Sequence, residues 1–246
     1  MTVKTPVALI TGGARRIGAC IATQLHSKGY NLVIHFRSSN TDALDLANKL
    51  NCVRDNSVTL ISADLVESKE VANLAQEAVS AFGRLDVLIN NASSFYPTPV
   101  NTATDDQWDD LFGSNAKAPF FLSQALSSAL TESGGCIINI ADIHAQKPLK
   151  AHTLYCMAKA ANVMLTLSLA KELAPHVRVN GIAPGAIMWP EQAAELSPES
   201  QQAIIEKIPL ERAGKPENIA NTVCYLLDND YLNGQIIAVD GGRSLN

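Results

Sequence analysis

The chain predicts a doubly wound α/β domain, a seven-stranded parallel sheet with helices on both faces. Three observations carry that expectation. Short apolar runs alternate with longer amphipathic stretches along the whole length. A glycine-rich turn follows the first apolar run. No Pro/Ser-rich linker or internal repeat divides the 246 residues, so 1–246 reads as a single domain.

The first strand is expected at Val7–Ile10, followed by a helix near 16–28. Leu32–Phe36 and Thr59–Ala63 are the next two apolar runs, with helical patterns near 41–51 and 68–81 after them. Val87–Asn90 then leads to a long helical pattern near 105–130. Cys136–Ile140 leads to a helix near 153–174, and Arg178–Ile182 to shorter ones near 199–207 and 216–228. Gln235–Val239 is the seventh strand. Strands this apolar suit a parallel sheet buried on both faces. Residues 186–198 carry Pro190 and Pro198 in a mixed pattern, which reads as a loop with a short helix. Ligands bind at the carboxyl ends of the strands in such sheets. The segment at about 186–208 is therefore expected to be a substrate lid.

Composition narrows the classes. A hydrophobic share of 47% excludes a disordered chain. The net charge of −5 argues against a nucleic-acid surface. The five cysteines (Cys20, Cys52, Cys136, Cys156 and Cys224) are scattered and form no CxxC, which supports neither a disulfide framework nor a zinc knuckle. Cys156 reads as a small helix residue. His26, His35, His144 and His152 have no metal-ligand partner at useful spacing, so no metal site is expected. Asp105, Asp106, Asp109 and Asp110 open a helix, where acids suit the dipole, and read as capping and a solvated face. With no signal-peptide pattern and no stretch long enough to span a membrane, the expected compartment is the cytoplasm.

The turn Thr11-Gly12-Gly13-Ala14-Arg15-Arg16-Ile17-Gly18 lies between a strand and a helix. Glycines there let the backbone approach a pyrophosphate, and a helix N-terminus favours its charge. This is the signature of a dinucleotide-binding Rossmann domain, although Arg16 stands where a glycine often sits. The second strand ends at His35-Phe36-Arg37-Ser38-Ser39. An NAD site places an acid there for the ribose 2′-hydroxyl. Arg37, the two hydroxyls and Arg15 instead suit a 2′-phosphate, so NADPH is expected. Asp64, ending the third strand beside Ala63 and Leu65, can accept from the adenine amino group or cap the next helix.

Tyr155 and Lys159 stand four apart on a helical pattern and so share a face. An ammonium that close is expected to favour the phenolate and make Tyr155 a usable proton donor near neutral pH. Hydride transfer to an electron-poor double bond requires such a proton on the neighbouring heteroatom. Lys159 would orient phenol and cofactor. Asp142 ends the fifth strand in an expected cleft, where burial raises a carboxyl's pKa. A carboxyl there can relay protons to Tyr155, as reduction of a C=N bond demands.

Together these motifs resemble the short-chain dehydrogenase/reductase family across essentially the whole chain. The matching residues are Thr11-Gly12…Gly18, Asp64, Asn90-Asn91-Ala92, Asn115, Tyr155…Lys159, Pro184-Gly185 and Asp240-Gly241-Gly242. Asn90-Asn91-Ala92-Ser93-Ser94-Phe95-Tyr96-Pro97-Thr98-Pro99, Arg16 in the glycine turn and Asp142 in place of serine are similar to its pteridine reductase branch. The bacterial dihydromonapterin reductases are similar too, sharing the acid and an ending like Asp240–Arg243.

The resemblance implies an NADPH-dependent reductase of dihydropterin or dihydrofolate. It assigns Asp142, Tyr155, Lys159 and Asn115 to catalysis, Asn115 holding a water that links Lys159 to solvent. Besides Gly12, Arg15, Arg16, Ile17, Gly18, His35, Arg37 and Ser38, it implies cofactor contacts from Ala63, Asp64, Leu65, Asn91, Ala92 and Ser93. Tyr155, Lys159, Pro184, Gly185 and Ile187 complete that set, the last three near the nicotinamide carboxamide. Phe95 matches the aromatic plate that sandwiches the pterin against the nicotinamide, where stacking adds about 0.5–1.5 kcal/mol beyond burial. Arg16 and Ser93 would reach the pterin's polar edge, with Asp142 and Tyr155 opposite. Met188 and Trp189 fall in the lid, Trp189 as pocket wall or as lid packing. Relatives are usually tetramers joined through the helices near 105–130 and 153–174. The alternatives are another short-chain reductase of carbonyls, such as 3-oxoacyl thioesters, and a nonenzymatic NADPH-binding sensor.

Overall fold

The computed structural model describes residues 5–189 and 197–246. The middle of the expected lid, 190–196 with Pro190, lies outside the described residues. The strands are β1 (Val7–Ile10), β2 (Asn31–Phe36), β3 (Val58–Ser62), β4 (Val87–Asn90), β5 (Cys136–Ile140), β6 (Arg178–Pro184) and β7 (Ile236–Val239). The helices are α1 (Arg16–Ser27), α2 (Asn40–Val53), α3 (Ser68–Phe82), α4 (Asp105–Phe112), α5 (Ala118–Ser133), α6 (Thr153–Glu172), α7 (Pro198–Ile205) and α8 (Pro216–Asp228). All pairings are parallel, in the order β3-β2-β1-β4-β5-β6-β7. This is the expected single-domain doubly wound fold.

Side-chain alternation explains why continuous apolar runs make these strands. Ala8, Ile10, Ile34, Ile89 and Ile138 face one way and pack on α1, α2 and α8. Val7, Leu9, Val33, Leu88 and Ile137 face the other way and pack on α3, α5 and α6. Parallel order requires crossovers, which places the carboxyl ends of all seven strands on one edge. The direction of winding reverses between β1 and β4, so the sheet opens a crevice where β1 meets Asn90-Asn91.

One expected element is corrected. The helix near 105–130 is two helices, α4 and α5, joined by a π-helical turn at Gly113–Lys117. Gly113 and Pro119 bracket the junction and are the sequence signal for the break, which the single-helix reading runs through. Gly113 sits where a Cβ would lie 3.2 Å from Val66. The π turn sets Asn115 inward, 1% exposed, beside the carboxyl edge of the sheet. Thr153–Glu172 is long and apolar enough to cross a membrane by composition alone, yet α6 packs on β6 and buries Tyr155, Lys159 and Thr166.

Candidate active site

The glycine turn is built by steric exclusion. Gly12 has φ +59°, which a side chain resists. A Cβ on Gly18 would lie 2.2 Å from the Gly12 carbonyl oxygen and 2.8 Å from Asn91 Nδ2. Arg16 itself adopts φ +54°, the left-handed conformation in which the glycine of such turns is at ease. The departure in sequence is thus held against a backbone preference, and its side chain has a task. Arg16 Nη2 donates to the Trp189 carbonyl at 2.9 Å, strapping the start of the lid segment to the turn. This bond is made by the Trp189 main chain and does not decide between the two expected roles of its side chain.

Side chains around the turn fix its shape. His35 accepts the Gly12 N–H on Nδ1 at 3.1 Å and donates from Nε2 to the Ala63 carbonyl at 2.9 Å. That pairing fits one neutral tautomer, and burial pushes the imidazole below its ordinary pKa. Asn91 Nδ2 donates to the carbonyls of Thr11 and Gly12 at 2.9 and 3.0 Å. The Thr11 hydroxyl accepts from the N–H groups of Asn91 and Ala92 at 2.9 and 3.0 Å. Thr11 was noted only as part of the motif, yet it ties β1 to the crevice.

The crevice is a cleft of about 360 Å³. Gly12, Arg15, Arg16, Ile17 and Gly18 line one side, and His35, Arg37 and Ser38 another. Ala63, Asp64 and Leu65 close the far end, and Asn91, Ala92 and Ser93 the near one. The expected dinucleotide contacts of the first half of the chain therefore converge. A glycine cradle that admits no Cβ, facing three arginines, fits a pyrophosphate and a further phosphate. Arg15 pairs with Asp42 at 3.7 Å and Arg37 with Asp110 at 3.8 Å, both with exposed guanidinium groups. Asp64 lines the cleft while its Oδ1 accepts the Val66 N–H at 3.0 Å, so it caps the following turn.

Pro184 and Gly185 continue β6. The Gly185 N–H bonds the Val239 carbonyl at 3.0 Å, and a Cβ there would meet Asp240 at 2.7 Å. The Ile187 side chain is buried in the core, which leaves only its main chain for a ligand.

The catalytic candidates meet at the end of β5. Tyr155 donates its hydroxyl to Asp142 Oδ2 at 2.6 Å. Asp142 Oδ1 accepts the His144 N–H at 2.8 Å, which fixes the carboxylate at the start of a 3-10 turn. Lys159 donates to the Ile140 carbonyl at 2.8 Å, with its ammonium 5.7 Å from the centre of the Tyr155 ring.

The expected effect of Lys159 on Tyr155 is overturned. Tyr155 is 4% and Lys159 2% exposed. Burial, then the charge of Asp142 and the hydrogen bond to it, push the phenol well above its ordinary pKa, against a smaller pull from Ser93. Burial lowers Lys159 to about 8, opposed by Asp142. Burial and the Asp142 charge, rather than Lys159, set the phenol, so Tyr155 is held as the protonated donor.

Asn115 acts as a splint. Its Nδ2 donates to the carbonyls of Leu111 and Ser94 at 2.9 and 3.0 Å, and its Oδ1 accepts the Ser93 hydroxyl at 2.7 Å. Asn162 Nδ2 donates to its main-chain carbonyl at 2.9 Å. These contacts hold the wall Ser93–Ser94. Phe95 follows, its ring edge-on to Tyr155 at 4.8 Å and stacked on His152 at 4.8 Å. His152 was passed over in the sequence. Its place three residues before Tyr155, on the same helix face, was the available signal. Asp110 was likewise read only as a helix acid.

Comparison with known proteins agrees with this geometry. The family profile described as enoyl-(acyl carrier protein) reductase matches residues 12–244. Pteridine reductase 1 of Leishmania tarentolae is 36% identical over 282 aligned residues, covering 98% of this chain and 96% of its own. A 3-oxoacyl-(acyl-carrier-protein) reductase of Staphylococcus aureus is 34% identical, covering 97% of this chain and 98% of its own. A short-chain type dehydrogenase/reductase of Picea abies is 34% identical, covering 96% and 92%.

Proposed function

The chain belongs to the short-chain dehydrogenase/reductase family of oxidoreductases, and we propose that within it the protein is an NADPH-dependent pteridine reductase. It converts a dihydropterin or dihydrofolate to the tetrahydro form by reducing a C=N bond. The observation that carries this reading is the 2.6 Å hydrogen bond from Tyr155 to the Asp142 carboxylate. A nicotinamide bound in the cleft supplies the hydride.

The chain's own residues handle the proton. Tyr155 gives its phenolic proton to the ring nitrogen next to the reduced carbon, and Asp142 relays a proton taken up from solvent back to the phenolate through Oδ2. A serine at that position can polarise a carbonyl but has no acidic proton to hand on. Lys159 faces the phenol that forms the anion, and Asn115 keeps the Ser93 wall in place. Phe95 is the aromatic plate for the pterin, with Ser93 and Arg16 toward its polar edge. Arg37, Ser38 and Arg15 receive the 2′-phosphate, which supports NADPH over NADH. Pro184, Gly185 and the Ile187 main chain border the nicotinamide, and Trp189 lies toward the substrate.

The rival reading is a 3-oxoacyl thioester reductase, favoured by the 34% identity to the Staphylococcus aureus enzyme. Asp142 and Phe95 weigh against it. We also infer self-association through α4, α5 and α6, on which Trp108, Phe120, Phe121, Met164 and Leu167 are exposed. A tetramer is the expected form, and a monomer in solution scattering contradicts it. The function is tested by following NADPH consumption with dihydrobiopterin and identifying the product. Formation of tetrahydrobiopterin supports the reading, and no consumption sinks it.

A further inference from the structure

Asp110 touches both the cation at the end of β2 and the wall at Ser94. It stands apart from the acids that cap α4. Thr104 is the N-cap and forms a capping box with Gln107, and Asp105 and Asp106 occupy the first turn. Asp110 lies beyond that turn with its side chain 29% exposed. Its Oδ1 accepts the Ser94 hydroxyl at 3.2 Å and lies 3.8 Å from Arg37 Nη1. The Tyr96 phenol lies near enough to feel its charge. That phenol is pushed up to about 12, first by burial and then by Asp110. The Asp110 carbonyl accepts from Ser114 Oγ at 2.8 Å, and Ser114 Oγ accepts the Ser94 N–H at 3.2 Å. One carboxylate thus holds Ser94, the residue before Phe95, faces the Tyr96 phenol after it, and also pairs with the cation at the end of β2.

We propose that Asp110 is a positioning residue that couples occupancy of the phosphate-binding Arg37 to the shape of the substrate wall at Ser94–Tyr96. The proposal rests on the cofactor and substrate ends assigned above. An anion on Arg37 competes with Asp110 for the guanidinium. Drawing that group away leaves the whole carboxylate to Ser94 and Tyr96, which sets Phe95 for substrate. Without the phosphate, Arg37 remains on Asp110 and the wall is held less firmly. Asp110 therefore lowers affinity for the 2′-phosphate and raises affinity for the substrate. A purely structural residue would support both.

Asp110→Asn separates the two roles. Binding of 2′,5′-ADP and of 5′-ADP is measured by calorimetry on the full chain. The KM is measured with NADPH for whichever of dihydrobiopterin and acetoacetyl thioester the wild type reduces. The expected result is roughly two- to fivefold tighter 2′,5′-ADP binding, the worth of one half-exposed ion pair, with 5′-ADP unchanged. The substrate KM rises roughly tenfold, as for loss of charged hydrogen bonds, while kcat stays within about threefold. Ser94→Ala should raise the substrate KM and leave 5′-ADP binding unchanged, and it serves if Asp110→Asn does not fold. In Asp110→Asn, unchanged or weaker 2′,5′-ADP binding overturns the proposal by itself. In Ser94→Ala, an unchanged substrate KM does so. Failure of the pteridine reading shows separately, in the wild type, as turnover of the thioester alone.

Discussion

Tyr155 and Asp142 share a 2.6 Å hydrogen bond in which the phenol is the donor and the carboxylate, fixed through its other oxygen by the His144 N–H, is the acceptor. They are thirteen residues apart in sequence. The end of β5 and the first turn of α6 bring them together. In the proposed reaction this bond gives the phenolate left after proton transfer a neighbour through which a solvent proton returns.

Removing either end should stop turnover without unfolding the protein. Asp142→Ser and Tyr155→Phe are each expected to lower kcat/KM by about 10²–10⁴-fold. Near-normal dichroism, melting and NADPH binding should accompany the loss. Steady-state kinetics and nucleotide titration check this, and near-normal turnover in Asp142→Ser would remove its role.

Lys159 makes stability depend on pH in the nucleotide-free protein. Its pKa is about 8 when folded, against 10.5 for the unconstrained side chain. Between those values the unfolded chain binds more protons than the folded one. Stability therefore rises with pH as Lys159 gives up its proton. Cys136, raised from 9.0 to about 11, opposes this above pH 9. Denaturant titrations from pH 7.5 to 9 should show a rise attributable to Lys159 that is missing in Lys159→Met. Equal slopes in the two proteins would refute the buried ammonium.

Gly18→Ala should damage the cofactor turn. The added carbon meets the Gly12 carbonyl oxygen at 2.2 Å, and backbone cannot swing aside as a side chain does. The expected cost is about 1–3 kcal/mol of stability, with NADPH binding lost beyond tenfold. Gly83→Ala is the control. It has positive φ but open space around it, so it should cost stability without touching nucleotide affinity.

Arg37→Ala tests the cofactor preference. Losing a charge-assisted contact to the 2′-phosphate should raise the NADPH KM by about tenfold or more. The NADH KM should stay within about twofold. A wild type that prefers NADH would contradict the assignment from the start.

The legible parts of this protein were those set by local spacing. The glycine turn, the Tyr155–Lys159 pair and the acid at the end of β5 each lie within one strand-turn-helix unit, and their chemistry follows from a few neighbouring positions. Arg16 in the glycine position was legible as an anomaly, while its left-handed backbone and bond to Trp189 were not. The π turn that sets Asn115 was marked only by Gly113 and Pro119, which signal a break but not its geometry. The protonation of Tyr155 was misjudged for a different reason. The pair's separation follows from helix geometry, but the burial that decides between attraction and desolvation comes from packing across the whole sheet edge. Asp110 and His152 act on residues 16 and 57 positions away respectively, contacts that only the folded chain defines.

The most direct measurement is NADPH oxidation by wild type and Asp142→Ser, with dihydrobiopterin, dihydromonapterin, dihydrofolate and acetoacetyl thioester side by side. The account predicts turnover of a pterin or folate by the wild type, most of it lost in Asp142→Ser. Turnover of the thioester alone, surviving in Asp142→Ser, would contradict it.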